Sequence, residues 1–268
     1  MQRKVGIIEE AVSGLSPVER MTLIKNAGFD SYSTNTYQRE AHEESANAAA
    51  RLGLVPDFLH APFDNVNSMW YKTEKHPDIF FKMCEAIDTA AEFEIPSVVI
   101  HTASGWNPPE ISERGLYRYD ILVERAAKLG VRLAFENLRT IPHAIYLLFR
   151  YRAFPNVGFC YDTGHESSFT ETVDWLSIEG ERTLCTHIHD NFGKGTDPCK
   201  NYDSHLLPFD GRIKFENLIE RLDKCDYRGI LTLEAFDSSS PEYLTWGAEK
   251  FLKEAYERIS RLNSFSKI

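Results

Sequence analysis

The amino-acid sequence predicts an α/β fold, a (β/α)8 barrel forming a single domain over residues 1–268. Three observations carry that prediction. Short runs rich in β-branched and aromatic residues alternate with segments of helical periodicity, eight times from one terminus to the other. Several of the strand runs are apolar on both faces, as parallel strands covered on both sides must be. No G-x-G-x-x-G turn follows an early strand, so the main signature of the competing doubly wound sheet is missing.

In chain order, VGIIEE (5–10) opens the series, and the helix after it starts at Ser16-Pro17, a capping hydroxyl before a first-turn proline, and stops at Gly28. DSYSTN (30–35), LVPDFLHA (54–61), SVVIHTA (97–103) and VRLAFEN (131–137) are the next strands. VGFCYDT (157–163), CTHIHD (185–190) and ILTLEA (230–235) complete the eight. Further helical runs end at Gly53, Gly130 and Gly180, where a residue tolerant of positive φ is expected. The segment 241–263 reads as one amphipathic helix sealing the barrel. No Pro/Gly/Ser-rich linker interrupts the pattern, and eight βα units in about 250 residues is the arithmetic of a closed barrel.

Composition narrows the function classes. Thirty Lys and Arg against forty Asp and Glu leave a net charge of −10, which disfavours nucleic acid as a partner. No apolar stretch approaches the ~20 residues of a membrane span, and MQRKVGIIEE lacks a signal-peptide pattern, so a soluble cytoplasmic protein is expected. The five cysteines are scattered and contain no C-x-x-C pair, so they read as small buried apolar residues rather than a disulfide or zinc framework.

In a (β/α)8 barrel, chemistry sits at the C-terminal ends of the strands. Here those ends carry His60, His101, Glu136 with Asn137, Asp162 with His165, His187, His189 and Asp190, and Glu234. Five of nine histidines lie at strand ends and His205 follows in the loop after strand seven. Imidazoles and carboxylates converging on one mouth call for a divalent cation. The mixed N and O donors without thiolate suit Mn²⁺, Mg²⁺, Co²⁺ or Zn²⁺ alike. His187 and His189 share a strand face; His189, nearer the mouth, is the expected ligand, with His187 behind it or on an additional metal.

The ordered motifs FEN, YDTGH, HIHDN, D-x-H-L-x-P-x-x-G-x-I and LTLEA resemble the xylose-isomerase-like TIM-barrel superfamily. That superfamily includes sugar isomerases and epimerases, dehydratases and the endonuclease IV group. The resemblance to its ketose-epimerase branch implies one metal held by Glu136, Asp162, His189 and Glu234. It further implies that Glu136 and Glu234 double as acid and base, and that His165 contacts substrate. A metal-bound carbonyl makes the neighbouring C–H acidic, so isomerisation or epimerisation through a metal-stabilised enediolate is the expected reaction. Dehydration begins with the same proton abstraction. Between them, those four residues and His60, His101, His165, His187, Asp203 and His205, ten candidates in all, resemble the nine-ligand, three-zinc set of endonuclease IV, a phosphodiesterase. The carbohydrate reading is preferred on charge. A homo-oligomer is expected from the family resemblance.

Further candidates surround the mouth. His101, Trp106, Lys194 and Arg212 are expected to touch substrate, with Trp70, Tyr71 and Phe63 completing an aromatic wall. In DSHLLPFDGRI, Phe209 stands where the family usually has glycine, which counts against the family's turn geometry there, against an anion contact through its backbone N–H groups and against a phosphorylated substrate.

Overall fold

A computed structural model describes residues 2–195 and 202–267. Eight parallel strands close into a barrel. They are β1 (Val5–Ile8), β2 (Ser31–Thr34), β3 (Val55–His60), β4 (Ser97–Ile100), β5 (Arg132–Glu136), β6 (Val157–Asp162), β7 (Thr183–Ile188) and β8 (Leu231–Leu233). Each pairs with the next in sequence, and β1 closes on β8 with Val5 opposite Leu231 and Ile7 opposite Leu233. All eight coincide with the expected runs; β7 starts two residues earlier, at Thr183 rather than Cys185.

The main outer helices are α1 (Pro17–Ala27), α2 (Arg39–Leu52), α3 (Asp78–Glu92), α4 (Glu113–Leu129) and α5 (Ile141–Arg150). α6 (Thr163–Phe169), α7 (Trp175–Glu179), α8 (Phe215–Lys224), α9 (Pro241–Leu244) and α10 (Ala248–Leu262) follow. At α1 the cap is reciprocal: Ser16 Oγ accepts from the Glu19 N–H at 3.4 Å and Glu19 Oε2 accepts from the Ser16 N–H at 2.9 Å. No helix among the described residues is long and apolar enough to cross a membrane.

Two expectations are corrected. The C-terminal segment is not one helix, because Gly247 at φ 72°, ψ 164° separates α9 from α10. Gly180 is not at positive φ but at φ −56°; it is small because an added Cβ would stand 2.8 Å from the Cys225 side chain.

The barrel interior explains where the site lies. Phe58, Val99, Ala134, Cys160 and Cys185 form a small apolar cluster of their own, apart from the larger core between sheet and helices. Two residues further along the same five strands stand His60, His101, Glu136, Asp162 and His187. Strand periodicity of two therefore places these five inward, one layer above an apolar plug. Below them Asp57 of β3 reaches across to β8, accepting from Thr232 Oγ1 at 2.5 Å. Burial pushes the Asp57 carboxyl up to about 7, against the opposing pull of the Thr232 bond and of His187.

A carboxyl whose folded pKa lies above its unfolded one costs stability as pH rises through that interval. The penalty is absent below about pH 4 and complete above about pH 7, where it is on the order of 4 kcal/mol. Asp57→Asn is expected to raise Tm at pH 8, with the gain shrinking toward pH 5; thermal unfolding at several pH values measures it. A gain that does not vary with pH would refute the assignment.

Candidate metal centre

Glu136 at the end of β5 is the hub of the inward layer, fully buried. His165 Nδ1 lies 2.8 Å from its carboxylate, His101 Nε2 2.9 Å, His187 Nδ1 3.3 Å and His60 Nε2 3.4 Å. His187 Nδ1 also lies 3.1 Å from Glu234 and 3.4 Å from Asp162. Nearer the mouth, His165 Nε2 and His205 Nε2 each approach Asp203 at 3.1 Å. His189 stacks on His205, with ring centroids 4.2 Å apart, and points Nε2 at Asp162, 3.1 Å away.

The hydrogen bonds around these groups orient them as ligands. His60 Nδ1 lies 2.8 Å from the Ala61 carbonyl and His205 Nδ1 2.9 Å from that of Glu234, so each Nδ1 donates and its Nε2 turns to a carboxylate. Asn137 accepts from the Asp162 N–H at 2.7 Å and donates to its carbonyl at 2.8 Å, locking β5 to β6. Thr163 Oγ1 accepts from the His189 N–H and donates to its carbonyl.

The donor set fits a metal. Both Glu136 oxygens, both His187 nitrogens, His165 Nδ1 and His189 Nδ1 are buried without hydrogen-bond geometry to any described group, although several stand within 3.4 Å of an oppositely charged atom. Four triads have ligand atoms mutually within 4.8 Å: His60–His101–Glu136, Glu136–Asp162–His165, Asp162–His187–Glu234 and His189–Asp203–His205. In the absence of a cation, protons carry the balance. Burial opposes charge on His205, but Asp203 and then Glu234 push it up to about 10. His165 and His187 are likewise held well above the ordinary imidazole value despite burial, by the carboxylates around them. Burial would raise Glu136, yet His187, His101 and His165 hold it well below the usual range.

The strand-end residues thus come together, with one change in emphasis. His187, not His189, meets Glu136, Asp162 and Glu234 together. The register puts His187 directly beside Asp162, whereas His189 lies one residue past the end of β7.

A cavity of about 390 Å³ opens over the cluster, lined by Glu136, Glu234, His165, Phe63, Phe169 and Arg139 among others. Phe63 stacks on His101 at 4.3 Å, and Trp106 meets Phe169 edge-on at the rim. Trp70 is instead buried, donating to the Thr102 carbonyl, so it belongs to the core and not to the expected aromatic wall. Neither Lys194 nor Arg212 lines this cavity; Arg212 pairs with Glu171 at the surface. Arg139 and Phe169 are the residues that sequence reasoning missed. Arg139 follows Glu136 by three positions, and its place in the loop after β5 was the available signal.

The sequence pattern of the xylose isomerase-like TIM barrel family matches residues 21–259. The chain belongs to that family. The uncharacterized protein y4fM of Sinorhizobium fredii is 32% identical over 161 residues, 55% of this chain and 50% of the relative. The uncharacterized protein MJ1311 of Methanocaldococcus jannaschii is 25% identical over 193 residues, 66% of this chain and 63% of the relative. The chain therefore spans between half and two thirds of the length of these relatives. Among solved structures, the IOLI protein with a bound zinc atom superposes with TM-score 0.78 at 18% identity, covering 99% of this chain and 100% of that one. The 3-keto-D-glucoside 4-epimerase YcjR of E. coli follows at TM-score 0.73 and 17% identity, covering 98% and 100%. D-Allulose 3-epimerase of Methylomonas sp., solved with D-allulose, gives 0.70 and 17%, covering 97% and 98%. These three likenesses establish the shared fold.

In this member of the family, Phe209 takes a left-handed backbone at φ 77°. The N–H groups of Phe209, Gly211 and Ile213 converge on the buried Asp190 carboxylate at 2.9–3.1 Å, so the turn is capped from within the chain. Gly164 is required for a different reason: an added Cβ would stand 1.9 Å from the His189 ring. Gly164→Ala is expected to displace His189 and lower Tm by several degrees, as forced overpacking costs about 1–3 kcal/mol. Thermal unfolding measures the cost, and an unchanged Tm would contradict this packing.

Proposed function

We propose that this chain is a divalent-metal-dependent isomerase or epimerase of sugars or sugar phosphates, acting by α-proton abstraction. The observation that supports it is the convergence of Glu136, Asp162, His187 and Glu234 beneath a cavity sized for a small carbohydrate. These four residues would hold the principal ion, with His187 in the place first expected for His189. When bound, a divalent ion supplies Lewis acidity to a substrate carbonyl and its neighbouring hydroxyl.

The side chains do the rest. Glu234 lines the cavity and accepts the proton from the carbon next to the carbonyl. Return of that proton by Glu234 to the adjacent carbon, with the hydroxyl proton moving to the former carbonyl oxygen, isomerises the sugar; epimerisation has Glu136 pass a proton from His165, 2.8 Å away, to the opposite face of the same carbon, while Glu234 loses the abstracted proton to solvent and His165 regains one. His165 and His101 bind substrate oxygens, and Phe63, Phe169 and Trp106 cover its apolar face. Two of the structurally similar proteins are epimerases of D-allulose and of a 3-keto-D-glucoside, which favours this substrate class.

A second reading is favoured by a specific observation. The further triads His60–His101–Glu136 and His189–Asp203–His205 have ligand geometry of their own. Occupied together, they would make a multinuclear centre suited to phosphodiester hydrolysis, as in the endonuclease IV group.

Elemental mass spectrometry on protein purified without chelator separates the two. About one divalent ion per chain is expected under the first reading and about three zinc ions under the second. Glu234→Gln is expected to lower solvent-deuterium exchange into ketoses by about 100- to 10,000-fold with metal retained. Full exchange with metal bound would sink Glu234 as the base.

A further inference from the structure

We propose that Arg139 binds an oxyanion carried by the substrate, a carboxylate or a phosphate monoester at the end remote from the reacting carbonyl. The inference rests on the isomerase or epimerase reading for the rest of the substrate, and on three observations for the anion.

Arg139 is the only Arg or Lys among the described residues lining the cavity, whose deeper part is formed by Glu136 and Glu234. Its guanidinium carbon lies 3.9 Å from the Phe169 centroid and 5.0 Å from that of Trp106, two rings perpendicular to each other. Contact with aromatic rings supplies the guanidinium with no lone-pair acceptor, so its N–H edge is available to an oxyanion. Among the described residues that edge forms no hydrogen bond or ion pair. Other arginines of the barrel wall are satisfied: Arg125 by Asp88, Arg150 by Asp120 and Arg221 by Glu166. A half-buried guanidinium fixed by two rings, drawn by Asp203 only at longer range and in ion-pair contact with no described carboxylate, is a preorganised anion receptor.

Burial orders the cavity from end to end. Glu136 is 0% exposed and Glu234 9%, whereas Trp106 beside Arg139 is 47% exposed. A substrate with its carbonyl at the carboxylates therefore presents its far end to Arg139. The cluster's own imidazoles and carboxylates handle the reacting end, so the cation at the rim has no role in proton transfer. It selects charged sugars over neutral ones.

The test uses the metal-loaded protein and three ketoses: D-fructose, D-fructose 6-phosphate and D-tagaturonate. Solvent-deuterium exchange at the α-carbon gives kcat and KM for each. One charged compound is expected to exceed D-fructose about 10-fold or more in kcat/KM, which also tells phosphate from carboxylate. R139M is expected to cost that compound about 10- to 100-fold, through KM, while D-fructose changes less than about threefold; R139K should recover part of the loss. Exchange of D-fructose alone, indifferent to R139M, overturns the anion site and leaves the isomerase reading standing. If none of the three exchanges, calorimetric titration with inorganic phosphate and with acetate decides. A tenfold weaker Kd in R139M for either anion upholds the site even as the isomerase reading fails, and equal affinities overturn it.

Discussion

Charge density at one end of the barrel is the constraint on which the rest of the structure depends. Glu136, Asp162, Asp203 and Glu234 are packed among His60, His101, His165, His187, His189 and His205, with little solvent to screen them. A buried carboxylate is tolerated only when paired, and so many in one place need cations or protons to balance them. With protons alone, the imidazoles take the charge, which is why His205 is pushed up to about 10 while Glu136 is held down. A metal would displace those protons and use the same atoms.

The fold meets this constraint by alternation. On β3 to β7, residues two apart face inward, so an apolar plug of Phe58, Val99, Ala134, Cys160 and Cys185 forms the floor on which the polar layer stands. Phe58 packs against the His187 ring at 4.9 Å, fixing its height. Around the mouth, short polar links hold the loops: Asn137 ties β5 to β6, Thr163 ties α6 to His189, and Asp190 gathers the turn through Phe209 and Gly211. His60 and His205 are further oriented by their Nδ1 bonds to the Ala61 and Glu234 carbonyls.

The sequence made the strand ends legible because parity and residue type are local properties. His60, His101, Glu136, Asp162 and Glu234 could be named from short motifs, since each lies at a place where a β-branched run meets a loop. The choice between His187 and His189 could not be made that way. Both share a strand face, and only the lateral register of β7 against β6 puts His187 at the height of Asp162. Trp70 and Trp106 likewise sit in loops of similar character, yet one is core and the other rim, because Trp70 is drawn inward to the Thr102 carbonyl.

Sequence by itself determined the closed eight-strand barrel, the end that carries chemistry and most of the residues gathered there, because hydrophobic period and turn residues act within a few positions of one another. It also placed the chain among the xylose isomerase-like barrels, through motifs in a fixed order. Tertiary structure alone decided which atoms share a site. The meeting of Glu136 with four histidines from β3, β4, α6 and β7, and of Arg139 with Phe169 and Trp106, joins residues far apart in the chain. Those distances follow from strand register and loop packing, which no local pattern encodes.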